Sequence, residues 1–195
     1  MRKYWKILRW IVLVTLVLVI VLMVTKPSPP APPIPIEAQK QLSNDFEQKL
    51  EHLEQAKASG DAGNTEQFSP QEVNASLQDM SVNAQQAMGP GAAENANMKI
   101  VAIDFVDDEA IGQFIVNQYG KDIYITMSAH LGAKDGYANL ELTSAKIGNL
   151  SVPVSLINPR LQQKLAEPEQ RDRLKLPDFV ADMRVEHGKL VIVEK

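Results

Sequence analysis

The chain contains no cysteine among its 195 residues. It can therefore form no disulfide, no thiolate metal site and no iron–sulfur cluster, and it has no cysteine nucleophile. Acidic residues are missing from residues 1–26, which hold five basic side chains, whereas the rest holds 15 basic and 24 acidic residues, a net charge of −9. An acidic body lacks the basic face that nucleic-acid phosphates require, so we expect no nucleic-acid partner.

Catalytic motifs are missing as well. The sequence contains no G-x-S-x-G nucleophile elbow and no glycine motif that would cradle a phosphate. None of His52, His130 and His187 has a second ligand at metal-binding spacing, and the acids at 107–109 are typical of a solvated turn rather than a cation site. We therefore expect a protein that is not an enzyme, with no catalytic residue, metal or cofactor.

A long apolar run is present, in residues 7–24, interrupted by Arg9 and Thr15. A helix of that length, at ~1.5 Å per residue, nearly matches the ~30 Å hydrocarbon layer of a bilayer. Basic residues are concentrated before the run, so the N-terminus is expected in the cytoplasm and the body outside the cell. The pattern predicts a single-pass signal anchor in residues 1–26. The alternative is a cleaved signal peptide, for which the following residues offer poor cleavage sites.

The next segment, residues 27–36, contains six prolines. Proline fixes φ and lacks an amide donor, so this stretch predicts an extended polyproline II stalk of roughly 30 Å. A flexible linker and a ligand for a proline-recognition domain are the alternatives.

Residues 37–80 are predicted to form a helical segment. Its first helix, over 37–58, carries one apolar stripe that either docks on the body or pairs with a second copy. A second, short helix is predicted by Ser69 as N-cap, Pro70 at the first turn and Glu72 completing a capping box. Residues 81–97 are small, polar and broken by Gly and Pro, which predicts a flexible insert.

The apolar stripe of the first helix, over 37–58, consists of Ala38, Leu42, Phe46, Leu50, Leu53 and Ala56.

From residue 98 to 195 the apolar period is two, which is typical of half-buried strands. The clearest case is 122–131, where Ile123, Ile125 and Met127 alternate with polar residues before a turn at 133–136. The returning strand slips in phase between Ser144 and Ile147, as a bulge requires. The remaining expected elements are strands over 99–106 and 113–119, a short helix from Asn158 and a terminal hairpin around 187–188. These elements predict an α+β fold in which a curved antiparallel sheet packs on one or two helices.

In this order the segments resemble the YpmS-like family of membrane-anchored extracytoplasmic proteins of Gram-positive bacteria, whose function is unsettled. The resemblance rests on residues 72–74 with Leu77, on 148–153, on 176–177 and on 188–190, and it would cover nearly the whole chain. It implies a similar extracytoplasmic domain and a loose likeness to curved-sheet modules that bind lipids, and it implies no catalytic residue.

Two functions follow as hypotheses. In the first, an apolar groove between sheet and helices binds a lipid or another apolar ligand. In the second, the domain is a scaffold or interaction module for an envelope protein complex, through the 38–56 stripe or a sheet edge. The residues predicted to line the groove are Val73, Leu77, Ile123, Ile125, Met127, Leu140, Leu142 and Leu161.

Overall fold

The computed structural model describes residues 12, 14–19, 21–22, 25–32, 34–59, 63–88, 98–118 and 120–195. The fold is α+β with antiparallel sheets, as the sequence predicted. The helices are α1 (Ile36–Ser59), α2 (Pro70–Met88), α3 (Val154–Leu165) and α4 (Pro168–Arg173). The strands are β1 (Thr65–Phe68), β2 (Met98–Val106), β3 (Glu109–Gln118), β4 (Lys121–Lys134), β5 (Tyr137–Ile147), β6 (Leu150–Ser151), β7 (Val180–Glu186) and β8 (Lys189–Glu194).

The strands form two sheets rather than the single curved sheet that the sequence predicted. The large sheet is a five-stranded meander in the order β2-β3-β4-β5-β6, and the small sheet has the order β1-β8-β7. The predicted terminal hairpin is confirmed, but its strand β8 pairs with β1. The sequence did not predict β1, because its four residues, TEQF, end in one apolar side chain and show no sustained alternation.

Pleating divides the large sheet into an apolar and a polar face, because successive side chains point to opposite sides. Ile125 of β4 lies opposite Phe114 of β3 and Ile147 of β5, and the polar neighbour Thr126 lies opposite Gln113. A bulge at Thr143, earlier than the predicted slip after Ser144, keeps the apolar residues of β5 on the same face.

The helix α1 docks on the body, which is the first of the two alternatives for its apolar stripe. It contacts α2, β1 and β8. Its Leu53 is completely buried, and the ring of Phe46 lies 4.9 Å from that of Phe68 in β1. The stripe therefore forms a core together with the small sheet and α2.

The start of α2 forms the predicted capping box. The Ser69 backbone N–H donates to Glu72 Oε2 at 2.6 Å, and the Glu72 backbone N–H donates to Ser69 Oγ at 3.3 Å. The ammonium group of Lys49 on α1 bonds Glu72 Oε1 at 2.6 Å. Burial alone would raise the pKa of Glu72, but the hydrogen bonds from Lys49 and Ser69 outweigh it and lower that pKa below its ordinary value.

Several helix boundaries differ from the prediction. Helix α2 continues to Met88, eight residues into the segment predicted as a flexible insert, and residues 89–97 of that segment lie outside the described residues. Helix α3 begins at Val154, before Asn158, and includes Pro159 in its interior. The sequence predicts a helix start at Asn158-Pro159 because proline favours the first turn of a helix, and the structure differs in placing Pro159 inside α3.

The predicted anchor lies largely outside the described residues. Of the run 7–24, the structure describes residues 12, 14–19, 21 and 22, all of them helical. Within the described part of the chain, no helix combines the length and the apolar character needed to cross a membrane.

Candidate functional site

Five of the predicted groove residues share the apolar face of the large sheet. Ile123, Ile125 and Met127 follow one another on β4, and Leu140 and Leu142 continue the face on β5. Leu142 lies next to Ala129 of β4, and Leu140 lies next to Leu131. The strand pairing thus places the five side chains on one continuous apolar surface.

The pairing also adds residues that were missing from the predicted set. We call one end of the apolar face the open end, formed by Ile100, Phe114, Val116, Ile123, Ile125 and Ile147. The added residues alternate with polar residues in their own strands, but only the register shows that they lie beside Ile123 and Ile125. The ring of Phe114 lies over Gly112, where a Cβ atom would be 2.9 Å from two ring atoms. Gly112 thus lets the ring lie along the sheet.

The other end of the apolar face, which we call the covered end, is buried. It contains Phe105, Ala110, Ala129 and Leu142, and three of these side chains are 6–8% exposed. At the open end Ile100 is 41% exposed, and its neighbours across the sheet are half-buried. Burial therefore rises along the face from the open end to the covered end.

The small sheet accounts for this gradient. Strand β7 packs across β4 and β3. The small side chains of Ala110 and Ala129 let the two sheets approach each other closely. The turn of the terminal hairpin is fixed at the same end, because the Gly188 backbone N–H donates to the Asp107 carbonyl at 3.0 Å. A Cβ atom on Gly188 would lie 3.3 Å from the Phe105 carbonyl oxygen. The small sheet therefore packs closely at the covered end.

The remaining three predicted residues lie on helices at opposite edges of the large sheet. Val73 and Leu77 belong to α2, which contacts the edge strand β2, and Leu161 belongs to α3, which contacts β5. All three side chains are half-buried. One helix thus packs at each of two opposite edges of the large sheet.

A buried asparagine fixes α2 at its edge. The Asn74 side chain accepts from the Ile103 backbone N–H at 2.7 Å and donates to the Ile103 carbonyl at 2.5 Å. The same amide group donates to the Pro70 carbonyl within α2. Asn74 therefore satisfies the outward-facing backbone groups of an edge strand as a neighbouring strand would. The contact joins residues 29 positions apart, so the local sequence pattern could not predict Ile103 as the partner.

The large sheet contacts the end of the apolar run and the segment that follows it. The Leu22 carbonyl accepts from the Asn149 backbone N–H at 2.9 Å, and the Ser28 carbonyl accepts from the Gln113 side chain at 3.2 Å. Gln113 is 1% exposed and Ala31 is 7% exposed. The first residues of the predicted stalk therefore lie against the sheet, a contact that a free spacer does not make.

The histidines and acids do not assemble into a metal centre in the part of the chain that the structure describes. His52 Nδ1 lies 2.9 Å from Glu66 Oε1, and His130 Nδ1 lies 3.6 Å from Asp108 Oδ2, each with one acidic partner. His187 lies in the turn of the terminal hairpin. In the small sheet, Arg184 donates hydrogen bonds to Glu186 Oε1 and Asp182 Oδ2, and these bonds raise the pKa of Arg184, which keeps that side chain cationic.

In comparisons with known proteins, no family model, no curated protein and no solved structure matches this chain. The resemblance to YpmS-like proteins stays a prediction that these comparisons do not support.

Proposed function

We propose that the chain is a single-pass membrane protein whose extracytoplasmic body binds the acyl chain of a lipid on the open end of the large sheet, without catalysis. The observation that carries the proposal is the gradient along the apolar face. Phe105 at the covered end is 6% exposed, whereas Ile100 on the same strand and face is 41% exposed. An apolar surface that stays half-exposed next to a well-packed core is typical of an interaction site.

An acyl chain suits this surface because all six residues of the open end carry apolar side chains. Each methylene that leaves water contributes about 0.8 kcal/mol, so a chain that lies along the sheet binds without hydrogen bonds. The flexible thioether of Met127, in the row next to the open end, adapts to chains of different shape.

The anchor part of the proposal is supported by the side chains of the N-terminal helical residues. Val12, Val14, Leu16, Val17, Leu18 and Val21 are each 50–61% exposed. Aliphatic side chains exposed on a helix in this way fit the hydrocarbon of a bilayer. The carbonyl of Leu22, near the end of the run, accepts from Asn149, two residues after Ile147 of the open end. The open end would then lie on the membrane side of the body.

A second candidate is the scaffold function, in which an envelope protein adds a strand to the large sheet. It is favoured by β2, which is an edge strand of that sheet. The Asn74 amide already bonds the N–H and carbonyl of Ile103, so a partner strand would have to pair with other residues of β2.

Native mass spectrometry of the full chain with lipid extraction tests the proposal, using two matched variants. Ile100→Glu places a carboxylate on the apolar face of the open end, and Val106→Glu places the same group on the polar face of the same strand, at a position of similar exposure (41% and 45%). We expect Ile100→Glu to lower co-purifying lipid by about tenfold or more, because an acyl chain cannot cover a carboxylate without desolvating it. Val106→Glu should retain the lipid.

Equal lipid in the wild type and both variants would contradict the proposal, as would a wild type that carries no lipid. In the second case, a protein partner lost from Ile100→Glu alone would favour the scaffold function. Unfolding curves of both variants serve as the control, since each substitution lies at a position that is nearly half exposed.

A further inference from the structure

Charge is unevenly distributed along the large sheet, and the imbalance follows the two ends of its apolar face. Lysines flank the open end: Lys121 continues the apolar face beyond Ile123, whereas Lys99 and Lys146 lie at the same end on the polar face. All three lysine side chains are exposed. Among the described residues of 98–101, 113–127 and 145–151, the one acid is Asp122, and its carboxylate accepts from the Asn117 amide at 2.9 Å.

The covered end has the opposite charge. Acidic residues fill the turn between β2 and β3 and continue into the neighbouring strands, whereas the β4–β5 hairpin also has basic residues: Lys134 in the hairpin, and Arg171 and Lys175 beside Tyr137. These acids are Asp104, Asp107, Asp108, Glu109, Asp135 and Glu141. The net charge of −9 after residue 26 therefore hides a basic end and an acidic end on one sheet.

The segment after the apolar run adds a fourth lysine to the basic end and fixes its position. The ammonium group of Lys26 lies 5.8 Å from the centre of the Tyr124 ring, on the polar face beside Lys99 and Lys146. The hydrogen bonds from Asn149 to the Leu22 carbonyl and from Gln113 to the Ser28 carbonyl hold this segment on the sheet. Because the apolar run ends at the same place, the basic end is the part of the body nearest to the proposed anchor.

We propose that the basic end recognises the headgroup of an anionic lipid in the bilayer that holds the anchor, while the open end takes the acyl chain of that same lipid. This inference rests on the proposed function and names its ligand class. Lysines near an anionic membrane surface bind lipid phosphates, and such contacts act over about 10 Å at ordinary ionic strength. The acidic covered end would be repelled by the same surface, so the charge distribution orients the sheet with its open end towards the lipid.

The test uses the full chain in vesicles, with a fluorophore attached at position 123. The substitution Ile123→Cys supplies the only thiol for this attachment, because the natural chain has no cysteine. The vesicles contain phosphatidylcholine and phosphatidylglycerol in one fixed ratio. In one set the phosphatidylglycerol carries brominated chains, and in the other the phosphatidylcholine does. Since the total composition is identical, a difference in quenching reports which lipid contacts the open end.

We expect brominated phosphatidylglycerol to quench about tenfold more effectively per lipid, and added salt to reduce this preference. Reversing the basic end with Lys99→Glu, Lys121→Glu and Lys146→Glu should abolish the preference. The matched control carries Lys40→Glu, Lys134→Glu and Lys175→Glu, three exposed lysines outside the basic end, and it should retain the preference.

Equal quenching by both brominated lipids would overturn the anionic-headgroup inference while supporting acyl binding. Loss of the preference in the control variant would also overturn it, because net charge rather than the basic end would then decide. Absence of quenching by either lipid would contradict the proposed function itself.

Discussion

The two ends of the large sheet share one sequence pattern and have opposite environments. Phe105 and Ile100 both lie on the apolar face of β2, yet the first is 6% exposed and the second 41%. Alternation fixes which face a side chain takes, and a distant part of the chain decides whether that face is covered. Here the terminal hairpin covers one end and leaves the other partly exposed.

The largest expected effect is at the covered end. Phe105→Ala should lower the free energy of unfolding by about 3–5 kcal/mol, because it removes a buried ring and leaves a cavity beneath the small sheet. Urea denaturation of the full chain measures the change. A loss no larger than that of Ile100→Ala would contradict the difference in packing between the two ends.

The edge of the sheet is the next test. Asn74→Ala removes the amide that pairs with the Ile103 backbone, and it should cost about 2–3 kcal/mol because two partly buried backbone groups lose their partner. The matched control is Asn117→Ala, whose side chain bonds Asp122 at an exposed position. It should change the stability by about 0.5 kcal/mol or less. Equal losses would mean that Asn74 does not hold α2 on the edge.

The junction of α1 and α2 should show a dependence on pH. The folded pKa of Glu72 is lower than its ordinary value of 4.5, so its contribution is complete above that pH and disappears as the pH falls through the folded pKa. Glu72→Gln should cost about 2 kcal/mol at neutral pH, and the difference from wild type should shrink on acidification.

Urea denaturation at several pH values measures this difference. The control is Glu51→Gln, an exposed position on α1, which should stay within about 0.5 kcal/mol of wild type at neutral pH. A Glu72→Gln deficit that persists unchanged in acid would show that the ionised carboxylate is not what stabilises the junction.

The smallest expected effect is at the open end. Ile100→Ala should change the free energy of unfolding by about 1 kcal/mol or less, since the side chain is 41% exposed in the folded protein. Calorimetry or urea denaturation detects the change. A loss of the size expected for Phe105→Ala would mean that Ile100 is covered in solution and that the open end is closed.

Local sequence patterns predicted much of the fold. The apolar stripe of α1, the capping box at Ser69 and the alternation in β4 depend on neighbours within a few residues, and all three have the predicted structure. The pairing of β1 with β8 and the contact of Asn74 with Ile103 depend on residues far apart in the chain. Periodicity contains no information about such contacts, so the second sheet and the closed edge were missed.

The candidate site divides in the same way. Ile123, Ile125 and Met127 could be assigned to one face from β4 alone. The other residues of the open end could not be assigned from the sequence, because only the register of β2, β3 and β5 places them beside β4. Their exposure depends on where the small sheet ends. The distribution of charge was hidden for a related reason: net charge sums over residues that the fold places at opposite ends of the sheet.

The most direct test of the central claim is to photo-crosslink the wild-type chain in vesicles to a lipid with a diazirine in its acyl chain, and to map the adducts by mass spectrometry. We expect adducts at the open end, in 98–100, 114–116 and 123–127 and at Ile147, and none at 138–142 or in the small sheet. Adducts in the apolar run 7–24 would confirm that the lipid reached the proposed anchor. Adducts spread evenly over both ends of the sheet, or confined to the apolar run, would contradict the account.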